Sequence, residues 1–103
     1  MSRQRSLRQR AWEKSQGVCC LCGLPMIPDV LPPDPLAFTL EHIIPKCQGG
    51  TNDMENLDGS HQWCNNWKGD VCVSELPSGW RRVLRWKIKH LLINRSVKPE
   101  RKK

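Results

Sequence analysis

Leu40-Glu41-His42-Ile43-Ile44-Pro45 opens a stretch that runs on through Gly49-Gly50 and Asn56-Leu57. It closes on His61-Gln62-Trp63-Cys64-Asn65-Asn66-Trp67-Lys68-Gly69. A carboxylate stands beside an imidazole, and a carboxamide follows a cysteine 23 positions after that histidine. The apolar residues leading in, Leu36 to His42 with Phe38 and Thr39 among them, predict a strand that ends at the Glu41-His42 pair. Pro45 terminates it. Residues 45–55 read as a loop around Gly49-Gly50. A second short strand or turn follows near Asn56-Leu57, and then a short helix from about His61 to Lys68 that Gly69-Asp70 stops.

Outward from this centre, the chain changes character. Residues 5–16 predict a short helix with Leu7, Ala11 and Trp12 on one side and Gly17 as its stop. Residues 25–35 hold five prolines and two aspartates and read as a loop, with room for one short strand and no assigned role. Residues 77–93 predict a stronger helix with Pro77 in its first turn. In that helix Trp80, Val83, Leu84, Ile88, Leu91 and Leu92 recur at helical spacing, which is the pattern of core packing, and Arg81, Arg82, Arg85 and Lys89 fall largely on the other side. Residues 94–103 read as a basic, disordered tail.

At 103 residues the chain is one small domain, and a core of this size gains from a metal or another staple. Its charge is unevenly placed. Residues 1–14 carry five basic and one acidic side chain, residues 15–78 two basic and eight acidic, and residues 79–103 ten basic and one acidic, giving a net charge of +7. An acidic centre between basic ends suits a cation site flanked by phosphate-binding arms, although charge runs are also commonly just solvated. The charged N-terminus is followed by no apolar core, and no run approaches the length of a membrane span. The expectation is a cytoplasmic chain without a membrane partner, whose thiols stay reduced.

Six cysteines then read as metal ligands or core residues before they read as disulfides. Cys19-x-x-Cys22 is a knuckle that lets two thiolates grip one ion, and His61-x-x-Cys64 repeats the spacing 39 residues later. Together they form a Cys3His set suited to a closed tetrahedral structural zinc site that couples metal binding to folding. Cys20, Cys47 and Cys72 are the alternatives to His61 as the fourth ligand. Cys20 is expected to point away, and Cys47 and Cys72 to serve no function.

Glu41-His42-Ile43-Ile44-Pro45, Gly49-Gly50, Asn56-Leu57 and Cys64-Asn65-x-x-Lys68 together resemble the HNH endonuclease motif. The flanking cysteine pairs are similar to those of its zinc-containing, often phage-encoded branch. The resemblance spans about residues 18–69. It implies an α+β chain built on a small ββα-metal core, with the zinc knuckle within it and helices on both sides. The residue pattern, not the resemblance, adds a basic N-terminal helix within residues 1–17 and a C-terminal helix within residues 70–93, making one domain of the whole.

By that resemblance His42 is the general base, a role that suits a neutral imidazole. Glu41 is a ligand of the catalytic cation, and Asn65, at a position where many members carry His, is a second. Their oxygen atoms favour Mg2+ or Mn2+. A shift of one position would move the role of Asn65 to Asn66. Adjacent strand residues point to opposite faces, so the strand must end or twist at Glu41-His42 for both to serve one site. Asn56 matches the central asparagine and is expected to fix the loop that orients His42; alone it would read as a turn residue. Lys68 could contact a phosphate or simply end a solvated helix.

DNA is the implied partner. Arg3, Arg5, Arg8, Arg10, Lys46, Lys68, Arg81, Arg82, Arg85, Lys87 and Lys89 are suited to phosphates, and no base-reading element is recognisable. A packaging terminase is a partner implied at the level of the family only, and for a phage-encoded chain the compartment is the host cytoplasm. The competing expectation is a non-catalytic zinc-knuckle module that binds nucleic acid through its basic ends.

Overall fold

The computed structural model describes residues 6–27 and 29–95. Arg3, Arg5 and the basic residues after Arg95 lie outside them, as does most of the expected C-terminal tail. Two antiparallel strands, β1 (Phe38–His42) and β2 (Leu57–His61), pair in register from Phe38 opposite His61 to His42 opposite Leu57. Helix α2 (Gln62–Lys68) follows β2 without a loop, completing a ββα unit, and helices α1 (Leu7–Ser15) and α3 (Trp80–Asn94) flank it. The fold is the α+β arrangement expected, with the ββα unit at its centre.

Helix α1 lies inside the expected 5–16 and starts at Leu7, behind Ser6 as its cap. The Ser6 hydroxyl accepts from the Gln9 amide and the Gln9 side chain returns a bond to the Ser6 amide, a complete capping box. Ala11 is buried, and Trp12 meets the Phe38 ring edge-on at 5.3 Å. Arg8 donates to the Phe38 carbonyl at 3.0 Å with its guanidinium 4.7 Å from the Phe38 ring centre. Lys14 donates to the Met54 and Leu57 carbonyls at 2.7 and 2.8 Å. Both ends of α1 are thus fastened to the sheet.

Several boundaries differ from those expected. Leu36 and Ala37 do not extend β1; they are buried ahead of it, with Ala37 bridging Ile27. The segment near Asn56-Leu57 is a full strand through His61. Its alternation is broken by Gly59, which lies under the Phe38 ring where a Cβ would collide with it. Helix α3 begins at Trp80, after Gly79 in a left-handed conformation (φ 80°), so Pro77 belongs to the preceding loop. Within α3 only Leu84, Ile88 and Leu92 are fully buried; Trp80 and Leu91 pack partly, and Val83 turns outward, 50% exposed. Val83 lies about 100° around the helix from Leu84, which takes it off the core stripe.

The proline-rich segment does more than connect. The Trp63 amide donates to the Pro35 carbonyl and the Gln62 amide to the Ala37 carbonyl, at 3.0 and 2.8 Å. These bonds supply partners for the first turn of α2, whose capping residue His61 makes no side-chain cap. Asp34 accepts from the Leu36 amide and pairs with Arg95 at 2.7 Å, pinning the end of α3.

Candidate functional site

The ββα unit carries two groups of chemically active side chains. At the end of the sheet where Phe38 faces His61, Cys19, Cys22, His61 and Cys64 are all buried, and their ligand atoms lie within 4.8 Å of one another. Cys22 Sγ and Cys64 Sγ stand 3.4 and 3.8 Å from His61 Nδ1. His61 Nε2 is 2.8 Å from the Pro25 carbonyl, an acceptor, so the hydrogen sits on Nε2 and Nδ1 keeps its lone pair for an ion. The amides of Leu21, Cys22 and His61 all point at Cys19 Sγ from 3.4 Å.

Burial pushes the Cys19 thiol up. Hydrogen bonds with Cys22, Cys64 and His61 outweigh that effect and hold it well below the usual thiol range. The same contact with Cys19 drives Cys22 upward, and contacts with Cys19 and Cys22, reinforced by burial, drive Cys64 upward. Without an ion the three thiols oppose one another's ionisation. A divalent ion is what would let all three deprotonate, and the donor set of three sulfurs and one imidazole nitrogen is suited to zinc. Cys20 lies outside the cluster, its thiol pushed up chiefly by burial. Cys47 is exposed, and the Cys72 thiol donates to Gln48 Oε1 at 3.1 Å. None of the three replaces His61.

At the other end of β1, Glu41, His42, Lys46, Asn65, Lys68 and Asp70 line a cleft of about 220 Å³. Glu41 and His42 diverge as strand neighbours must, yet both reach the cleft, because β1 ends at His42. Glu41 is 2% exposed. Its Oε1 accepts from the Ser60 hydroxyl at 3.1 Å, and its Oε2 pairs with Lys68 Nζ at 2.9 Å. Burial dominates and leaves the Glu41 carboxyl above its ordinary value, although Lys68 and Ser60 pull it down. Lys68 also donates to the His42 carbonyl at 3.3 Å, so it is no solvated helix end.

Asn65 Nδ2 donates to Thr39 Oγ1 at 3.2 Å, which leaves its amide oxygen as the atom available to a cation. Thr39 in turn donates to the Ser60 carbonyl at 3.2 Å, so Asn65, Thr39, Ser60, Glu41 and Lys68 form one connected network. Asn66, the alternative to Asn65, is exposed and accepts from Gln62. Thr39 and Ser60 were not singled out by the sequence. They are register partners across the sheet, a pairing that becomes readable only once β2 is known to reach His61.

Asn56 is buried and works as a clamp. Its Oδ1 accepts from the Ile44 amide at 2.8 Å, and its Nδ2 donates to the Ile44 carbonyl at 3.1 Å and the Thr51 carbonyl at 2.8 Å. Gly50 closes the same loop against Ile44, where any Cβ would land on the Ile44 carbonyl.

The basic residues separate into two kinds. Arg8 is engaged with Phe38, and Arg10 is exposed. Arg81, Arg82 and Lys89 are exposed on α3, while Lys87 lies 5.9 Å from the centre of the Trp63 ring. Arg85 is half-buried and donates through Nε to the Cys22 carbonyl at 2.9 Å. Arg81 and Arg85 also line a second cleft of about 300 Å³ with Ser15, Gln16, Val18, Cys20 and Gly23. Among the described residues no helix is long and apolar enough to cross a membrane.

No curated protein matches the chain. Residues 19–70, which hold every cysteine of the metal cluster and the whole Glu41 to Lys68 cleft, match the family model of the HNH endonucleases, and the chain belongs to that family.

Proposed function

We propose that this protein is a divalent-cation-dependent DNA endonuclease or nickase that hydrolyses phosphodiester bonds. The observation that carries the reading is the convergence of Glu41, His42, Asn65 and Lys68 on one cleft at the end of β1. His42 acts as general base, taking a proton from the attacking water. Glu41 and Asn65 offer oxygen donors, a set that fits Mg2+ or Mn2+ rather than a softer ion. Such a cation, when bound, supplies positive charge for the phosphate and the leaving oxygen.

The remaining roles belong to the chain alone. Asn56 fixes the loop that carries the base's surroundings. Lys68 holds the Glu41 carboxylate in place, and it could reach a substrate phosphate only by giving up that ion pair. Lys46 at the cleft, and Arg81, Arg82, Arg85 and Lys89 on α3, neutralise backbone phosphates. The buried cluster of Cys19, Cys22, His61 and Cys64 holds a structural zinc that stabilises the turn into α2.

A second reading is a zinc-knuckle module that binds nucleic acid without cutting it. The observation in its favour is the Lys68–Glu41 ion pair, which occupies one oxygen of the carboxylate the catalytic reading needs. Incubating the zinc-loaded protein with supercoiled plasmid separates the two. Nicked product with Mg2+ or Mn2+ and none with EDTA supports the nuclease; DNA binding without cleavage in either cation supports the module.

A further inference from the structure

We infer that Asn52 is the positioning residue for His42, fixing its ring and its tautomer. The inference rests on the reading of His42 as general base. His42 Nε2 lies 2.8 Å from Asn52 Oδ1. An amide oxygen can only accept, so the ring hydrogen sits on Nε2, and Nδ1 is left as the basic atom.

The contact is held from both sides of Asn52. Asn56 Nδ2 binds the Thr51 carbonyl at 2.8 Å, immediately before it. The Thr51 hydroxyl bonds the Asp53 carboxylate at 3.1 Å and accepts from the Asp53 amide at 3.3 Å, bracketing Asn52 in a closed turn. The buried clamp at Asn56 and the half-buried imidazole are thereby linked through one exposed side chain. This gives the loop after Gly49-Gly50 a specific task. It carries an acceptor to His42 Nε2 and leaves Nδ1 for the attacking water.

Two variants of nearly equal shape test this, Asn52→Leu without an acceptor and Asn52→Asp with one. Asn52→Leu should lower kcat for plasmid nicking about 10–100-fold, the range that misplacing a reacting group costs, with KM little changed. Asn52→Asp keeps an acceptor on Nε2 and should lose clearly less than Asn52→Leu. In the DNA-free protein, 15N NMR should show the His42 hydrogen on Nε2 in wild type and Asn52→Asp, and a tautomer mixture in Asn52→Leu. Equal kcat losses in the two variants, or none in either, would overturn the proposal, as would a wild-type hydrogen on Nδ1. If His42→Ala cuts as well as wild type, the base reading itself fails; the tautomer spectra still decide whether Asn52 sets the ring.

Discussion

Lys68, in the last turn of α2, places its Nζ 2.9 Å from Glu41 Oε2, and the two side chains are only 2% and 3% exposed. A pair this deeply withdrawn from water is expensive to break on one side, because the surviving charge is left without a partner. In urea unfolding, Lys68→Met and Glu41→Gln should each cost about 3–5 kcal/mol, while the double variant should cost clearly less than their sum. Additive losses would mean the two side chains do not depend on each other.

The same pair bears on cation binding. Lys68 shares Glu41 with any ion that uses this carboxylate, so Lys68→Met should bind Mn2+ at least about tenfold more tightly in calorimetry, a gain of about 1.4 kcal/mol. Glu41→Gln should lose the binding. If Mn2+ binds the wild type and Glu41→Gln alike, Glu41 is not a ligand.

The cysteine cluster predicts one zinc per chain. His61→Ala should lower the zinc content and the melting temperature together, since metal binding and folding are linked at such sites. Cys20→Ala, outside the cluster, should leave zinc content unchanged. Unaltered zinc in His61→Ala would require a different fourth ligand.

DNA affinity should divide the arginines. Removing Arg81 should weaken binding and reduce the slope of log K against log salt by about 0.9, the signature of one phosphate contact. Arg8→Ala should instead act on stability, because its guanidinium is committed to the Phe38 carbonyl at 3.0 Å. A salt slope that drops for Arg8→Ala and not for Arg81→Ala would reverse this division.

Much of this arrangement was legible in the sequence because it is local. The Cys-x-x-Cys and His-x-x-Cys spacings define the buried cluster without any knowledge of the fold, and Leu84, Ile88 and Leu92 declare the core face of α3 by their period. The family assignment followed from ordered short motifs, and residues 19–70 match it.

What escaped was non-local. The partnership of Lys68 with Glu41 depends on α2 folding back over β1. The Thr39–Ser60 link depends on a register that Gly59 conceals by breaking the alternation. The proline-rich segment carries no motif, yet its Pro35 and Pro25 carbonyls receive the Trp63 amide and the Nε2 hydrogen of His61, because backbone acceptors leave no trace in side-chain identity. Asn52 resembles any loop asparagine until the Asn56 clamp brings it to His42.

Plasmid nicking by wild-type and His42→Ala protein, with Mn2+ and with DNA binding measured alongside, goes to the heart of the catalytic assignment. Wild type should convert supercoiled DNA to the nicked form, and His42→Ala should be slower by about 10²–10⁴-fold while binding DNA as tightly, the usual contribution of a positioned general base. Cleavage by His42→Ala at the wild-type rate would contradict it.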